Sequence, residues 1–176
     1  TLSSFTPTSG TIGSSIVITG TGFSGVTAVR FNNVISSFTV NSTTQITATV
    51  PSGATTGPVS VTTSSGTATG GTNYTVLPNI TTFAPTSGVV GNTVFITGTG
   101  FSNVTSVLLN GVAVTYTVQS STSIRAFVPV GATSGSFTVT TSAGTTFSTD
   151  TYTVIPPISI TSFTPACSEI LTQVTV

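Results

Sequence analysis

Residues 2–76 return 78 positions later, without a gap, as residues 80–154. FTPTSGTIG from Phe5 comes back as FAPTSGVVG from Phe83, and ITGTGFS from Ile18 comes back at Ile96. VPSGATTG from Val50 becomes VPVGATSG from Val128, and VTTSSGT from Val61 becomes VTTSAGT from Val139. About half of the positions in the two stretches are identical. A repeat of this length means one folded unit built twice, so whatever the first copy forms the second must form too. A third copy opens at Ile160 with ITSFTP, where Phe163 follows Phe83 by 80 positions. The expected organisation is therefore a unit over 1–78, a second over 79–157, and the first strands of an incomplete third over 158–176.

Within each copy the pattern is that of β-structure. Val26–Phe31 and Gln45–Val50 alternate with period two, placing Val29, Phe31, Ile46, Ala48 and Val50 on one face. Ser15–Thr19 and Thr93–Thr97 are rich in β-branched residues and close on glycine. No window carries the helical period, and the Thr, Val and Ile excess disfavours helix. About seven short strands per copy, separated by Gly, Pro and Asn turns, describe a small antiparallel sandwich. The inward set is Val29, Phe31, Ile46, Ala48, Val50, Val61 and the residues 78 positions on.

Composition then removes most chemistry. Two residues are Lys or Arg, two are Asp or Glu, and there is no His, Met or Trp. Only 2% of the chain is charged, where about 25% is usual. Arg30 and Arg125 are the basic residues, and Asp150 and Glu169 the acidic ones. Without His or Lys there is no common base near neutral pH and no Schiff-base nucleophile. One Cys without His builds no zinc site, and two separate acids build no strong calcium cage. The expectation is no enzyme, no cofactor and no metal. Two arginines cannot follow a phosphate backbone, so nucleic acid is not an expected partner. The hydrophobic fraction of 37% can fill a core, yet no run is long enough for a transmembrane helix.

FTPTSGTIGSSIVITGTGFSGVTAVRFN resembles the opening of an IPT/TIG domain, and VNSTTQITATVPSGATTGPVSVTTSSGTAT resembles its second half. The resemblance covers both full copies and the start of the third. It implies tandem immunoglobulin-like sandwiches, most like the repeats of large secreted or surface-bound bacterial adhesins. The fold alone does not choose a function.

Several motifs have plainer readings. Gly20-Thr21-Gly22-Phe23-Ser24-Gly25 spells GxGxxG, but no helix pattern and no acidic residue follow as a dinucleotide loop requires. It reads as a turn, with Phe23 and Phe101 plugging the sandwich edge. Phe5, Phe83, Phe163, Phe31, Phe38, Tyr116, Tyr74 and Tyr152 read as core and not as a sugar platform. Sequons at Asn41, Asn73, Asn79 and Asn103 are no more than so many hydroxyl residues produce by chance. Cys167 takes the place of Ser9 and Ser87. It is either a small, partly buried side chain, or a thiol that pairs with another molecule or with a Cys beyond Val176.

The joints Val76–Asn79 and Val154–Pro157 are short and contain proline, which favours semi-rigid spacing into an end-to-end rod. Thr and Ser together fill 69 positions, which keeps the surface wet without charge. With net charge zero, self-association is the expected partnership. Two arginines and no lysine leave trypsin little to cut, as suits life outside the cell. The expected function is an extracellular, bacterial-surface structural or adhesive segment: a stalk, adhesin or filament. The alternative is a non-catalytic polysaccharide-binding or spacer module of a secreted enzyme, with surface glycans as partners. Thr1 opens at once on strand-like sequence, so secretion would be directed by a separate segment.

Two sets of residues stand out as contacts. In the second copy Leu108 replaces Arg30 and Phe127 replaces Thr49 at outward positions, with Arg125 on the Phe127 face. These three form a candidate interface, since aromatics and Arg are enriched at contacts. The third segment, with Ile160, Phe163, Val174 and Val176, is too short to fold alone. It is either the start of a longer array or a strand donor to a neighbouring subunit.

Overall fold

The computed structural model describes residues 1–159 and 161–162. No helix forms among them. The first repeat contains β1 (Leu2–Thr6), β2 (Ser9–Gly10), β3 (Ser15–Gly20), β4 (Val26–Phe31), β5 (Val34–Ser36), β6 (Phe38–Ser42), β7 (Gln45–Thr49), β8 (Gly57–Thr63) and β9 (Gly66–Val76). The second contains β10 (Asn79–Ala84), β11 (Ser87–Gly88), β12 (Thr93–Thr99), β13 (Val104–Leu109), β14 (Val112–Ala113), β15 (Thr115–Ser120), β16 (Ser123–Phe127), β17 (Phe137–Thr141), β18 (Gly144–Phe147) and β19 (Thr153–Val154).

Each repeat is a sandwich of two sheets. In the first, β1-β3-β7-β6 faces β2-β9-β8-β4-β5. In the second, β10-β12-β16-β15 faces β14-β13-β17-β18, and β11 pairs with β19. Period-two alternation produces this directly. Ile16 and Ile18 of β3 and Ile46 and Ala48 of β7 are buried, while Ser15, Val17 and Thr19 between and beside them are exposed. All of the inward set is buried in both copies, from Val29, Phe31 and Val61 to Val107, Leu109 and Val139. Each repeat closes its own hydrophobic cluster, one from Phe5 to Val76 and one from Ile80 to Tyr152.

One pairing differs from the expected antiparallel pattern. Short β2 runs parallel to the end of β9, through Ser9↔Thr75 and Gly10↔Val76, and β11 repeats this with β19. Pro7 and Pro85 lack an N–H and cannot extend the β1–β3 and β10–β12 ladders. Beyond Pro7 the chain joins the opposite sheet beside β9, and beyond Pro85 it pairs with β19 in a separate two-stranded ladder.

Phe23 and Phe101 are buried at 2% and 1% exposure. Each ring lies against a glycine, Gly20 and Gly98, where a side chain would overlap it. The GxGxxG stretch is thus a turn over an aromatic plug. The hairpin after β4 turns through Asn32 and Asn33, with φ of 42° and 74°, and its counterpart through Asn110 and Gly111, with 44° and 84°. Asn and Gly tolerate this left-handed backbone, which suits two-residue hairpins.

Candidate functional site

The expected interface of Leu108, Arg125 and Phe127 does not assemble. Leu108 lies on β13 and Phe127 on β16, in different sheets of the same sandwich. An outward side chain on one sheet points away from an outward side chain on the other, so the two cannot share a patch. Leu108 is half-buried between its cross-strand partners Ala113 and Thr138. Phe147, opposite Thr138, continues that row and is 63% exposed.

Arg125 and Phe127 do come together. The Arg125 guanidinium carbon lies 4.8 Å from the centre of the Phe127 ring, a cation–π contact. The structure adds Phe95, which sequence reasoning took for a strand residue without special role. Phe95 is the direct partner of Arg125 across β12 and β16, and it is 45% exposed. Thr93 pairs with Phe127 in the next row, so Phe95 and Phe127 are diagonal neighbours on one face. The first repeat carries Val17, Thr47 and Thr49 at the matching places. The aromatic–Arg–aromatic strip therefore belongs to the second repeat alone. The sequence signal that could have found it was Phe95 standing between inward Val94 and Ile96.

The surface elsewhere is largely hydroxyl. Thr62 and Thr67 touch across β8 and β9 at 2.9 Å, and Thr140 and Thr145 repeat the contact at 3.1 Å. Such pairs satisfy each other and keep the face polar without charge.

The joint between the repeats is close. Leu77 donates its N–H to the Gly10 carbonyl at 2.9 Å, continuing the pairing of the exit strand with the first repeat. On its other side, a side chain at Gly100 would come within 2.7 Å of the Leu77 carbonyl and 3.0 Å of Pro78. One at Gly144 would touch the Leu77 side chain at 3.4 Å. Leu77 is thus held by both repeats at once. Beside it, a cleft of about 70 Å³ is lined by Thr55, Thr56 and Val76 on one side and Ser102, Asn103 and Ser142 on the other. A larger open cavity of about 370 Å³ lies at the far pole of the first repeat, near Thr1.

Cys167, Ile160, Phe163, Val174 and Val176 fall outside the described residues. Among the described residues there is no group of three His, Cys, Asp or Glu able to hold a metal ion, and no helix long and apolar enough to cross a membrane. Burial pushes the Tyr152 phenol above its ordinary value of 10.0.

The family model of the IPT/TIG domain matches residues 1–76 and 78–154. No curated protein matches the chain. Among solved structures, SGBP-B from a complex xyloglucan utilization locus in Bacteroides uniformis is similar at 22% identity and a TM-score of 0.41, over 87% of this chain and 49% of its own. The surface glycan-binding protein PbSGBP-B from Prevotella bryantii is similar at 18% identity and a TM-score of 0.48, over 82% of this chain and 38% of its own. SGBP-B of a Bacteroides ovatus mixed-linkage glucan utilization locus, in complex with a mixed-linkage heptasaccharide, is similar at 20% identity and a TM-score of 0.39, over 82% and 42%. The chain thus spans about half or less of the length of each of these three structures.

Proposed function

The chain belongs to the IPT/TIG domain family, and on that premise we propose that it is a stiff, non-catalytic spacer in an extracellular protein of the bacterial surface, of the stalk or adhesin kind. The observation that carries this reading is the grip on Leu77. Its N–H is bound to Gly10 of the first repeat, while its carbonyl and side chain pack on Gly100 and Gly144 of the second. A joint of two residues held from both sides resists bending more than a solvated coil of the same length. The paired threonines and near-absence of charge supply a surface suited to exposure without chemistry.

Small-angle X-ray scattering of the chain tests this. Replacing Leu77 and Pro78 together by glycine should broaden the distance distribution and lengthen its tail. If the native chain already scatters like that variant, the joint is loose and the spacer reading fails.

A second reading rests on the Phe95–Arg125–Phe127 strip. The exposed Phe95 ring and the half-buried Phe127 ring can stack on sugar faces, while the Arg125 guanidinium donates hydrogen bonds to hydroxyls. On this reading the second repeat grips a surface polysaccharide. Titration calorimetry with xyloglucan and mixed-linkage glucan tests it. Binding lost in Phe95→Ser and Arg125→Ser supports it, and binding absent in the native chain or unchanged in both variants overturns it.

A further inference from the structure

The second repeat departs from the first on both of its outer faces, and the two departures complement each other. On one sheet Phe95, Arg125 and Phe127 stand where the first repeat has Val17, Thr47 and Thr49. The row through them runs Ala84, Phe95, Arg125, Thr117 across four strands. On the opposite sheet the matching row is Ala113, Leu108, Thr138, Phe147. There Leu108 stands for Arg30 and Phe147 for Thr69. Three residues past Phe147, the exposed Asp150 stands for Thr72. Both rows lie on the flanks of the sandwich, alongside the strands, and not at the ends where the chain enters and leaves.

Each face holds what the other lacks. Phe95 is 45% exposed and Phe147 is 63% exposed, so each sheet leaves an aromatic ring in water. Contiguous apolar surface of this kind marks a contact. Covering the Phe95 face also covers Arg125, and a desolvated charge is costly unless an opposite charge meets it. Asp150 is the acidic residue of the second repeat, as Arg125 is its basic one. Arg125 lies on β16, and Asp150 follows β18 on the opposite sheet. Those sheets face away from each other, so it is a second copy that brings the two charges together.

The first repeat is not built for the same contact. Arg30 occupies the middle of one of its rows, between Ile35 and Ser60, and the repeat has no acidic residue to answer it. Thr47 occupies the middle of the other row, between Val17 and Thr39. Second repeats therefore match second repeats.

We infer that two copies of this chain stack flank to flank through their second repeats. The Phe95–Arg125–Phe127 face of one copy covers the Leu108–Phe147 face of the next, and Arg125 closes on Asp150. The two surfaces are different, so each contact leaves one face of each kind open and the assembly grows sideways as an open row. With net charge zero, no overall repulsion opposes the approach of like copies.

This goes beyond the spacer reading by naming what lies beside the spacer. The test is sedimentation of the full chain up to its solubility limit. The native chain should associate progressively. Phe95→Asp spoils one face and Phe147→Asp the other, and each should raise the concentration needed for association tenfold or more. Mixed, the two variants should form a dimer and stop there, because each keeps a different intact face. That dimer also shows that both variants fold. Arg125→Asp and Asp150→Arg should each weaken association, and the two changes in one chain should restore it. A native chain that stays monomeric, a mixture without dimer, or a charge swap that restores nothing would each overturn the inference. So would association that Phe95→Asp weakens and Phe147→Asp leaves unchanged, which would make the contact strip to strip. Scattering by the Phe95→Asp monomer reads the Leu77 joint alone, so a stiff chain that never associates would refute this inference and spare the spacer reading.

Discussion

The hydroxyls of Ser14 and Tyr74 lie 3.2 Å apart and share a hydrogen bond in the first repeat. In the second repeat the pair is Asn92 and Tyr152, and the buried Tyr152 hydroxyl has no partner among the described residues. Tyr74→Phe should therefore cost about 0.5–1.5 kcal/mol, the net value of one hydrogen bond. Tyr152→Phe should be neutral or stabilising, because it removes a desolvated group that bonds to nothing. Asn92→Ser should restore the missing bond and raise stability by a similar amount. Urea unfolding of the three variants checks this, and equal losses for both Phe variants would contradict it.

The same phenol sets an alkaline limit. Its value is raised in the folded chain, so between pH 10 and that higher value the unfolded chain loses the proton and the folded chain keeps it. The folded state then binds more protons than the unfolded one, and stability falls as pH rises. Below pH 10 this contribution is fully present. Melting temperature of the native chain should drop more steeply above pH 10 than that of Tyr152→Phe. Parallel curves would refute it.

Asn32 and Asn110 each donate from the side-chain amide to a hydroxyl, Thr55 and Thr133, at 2.8 Å. Each also holds a left-handed backbone, at φ 42° and 44°. Asn110→Gly should lose only the hydrogen bonds, about 1 kcal/mol. Asn110→Ala should lose those and add backbone strain of about 1–2 kcal/mol. Gly135→Ala should also destabilise, because its side chain would overlap Asn110. Chemical denaturation that ranks Asn110→Gly as the worse of the two Asn110 variants would contradict this account.

Phe101 is 1% exposed and closes the second core at its edge. Phe101→Ala should cost about 3–5 kcal/mol, in the range for truncating a buried aromatic. Tyrosine fluorescence and circular dichroism during unfolding should show the second repeat melting first in this variant.

The inward set was legible because alternation separates core from surface within one strand, and the repeat wrote it twice. Alternation says in or out, but not which sheet a strand joins, so Leu108 and Phe127 looked like neighbours and are not. The β2–β9 pairing was hidden because a strand of two residues has no period to read. Phe95 was hidden because it sits inside a β-rich run and reads there simply as strand.

The parallel pairing of entry and exit strands bears on mechanics. In each repeat the chain enters beside the strand by which it leaves, joined by Thr75 N–H to Thr8 and Leu77 N–H to Gly10, and again by Thr153 to Thr86 and Ile155 to Gly88, all at 2.9 Å. Tension along the chain would drag these neighbours past each other lengthwise. The bonds across them must then break together in shear, and not one after another as in a peeled hairpin. Stretched singly, each repeat should hold until a sharp rupture, and replacing Gly10 or Gly88 by Pro should lower that rupture force. A stalk built this way would carry load at the seam where its own two ends meet.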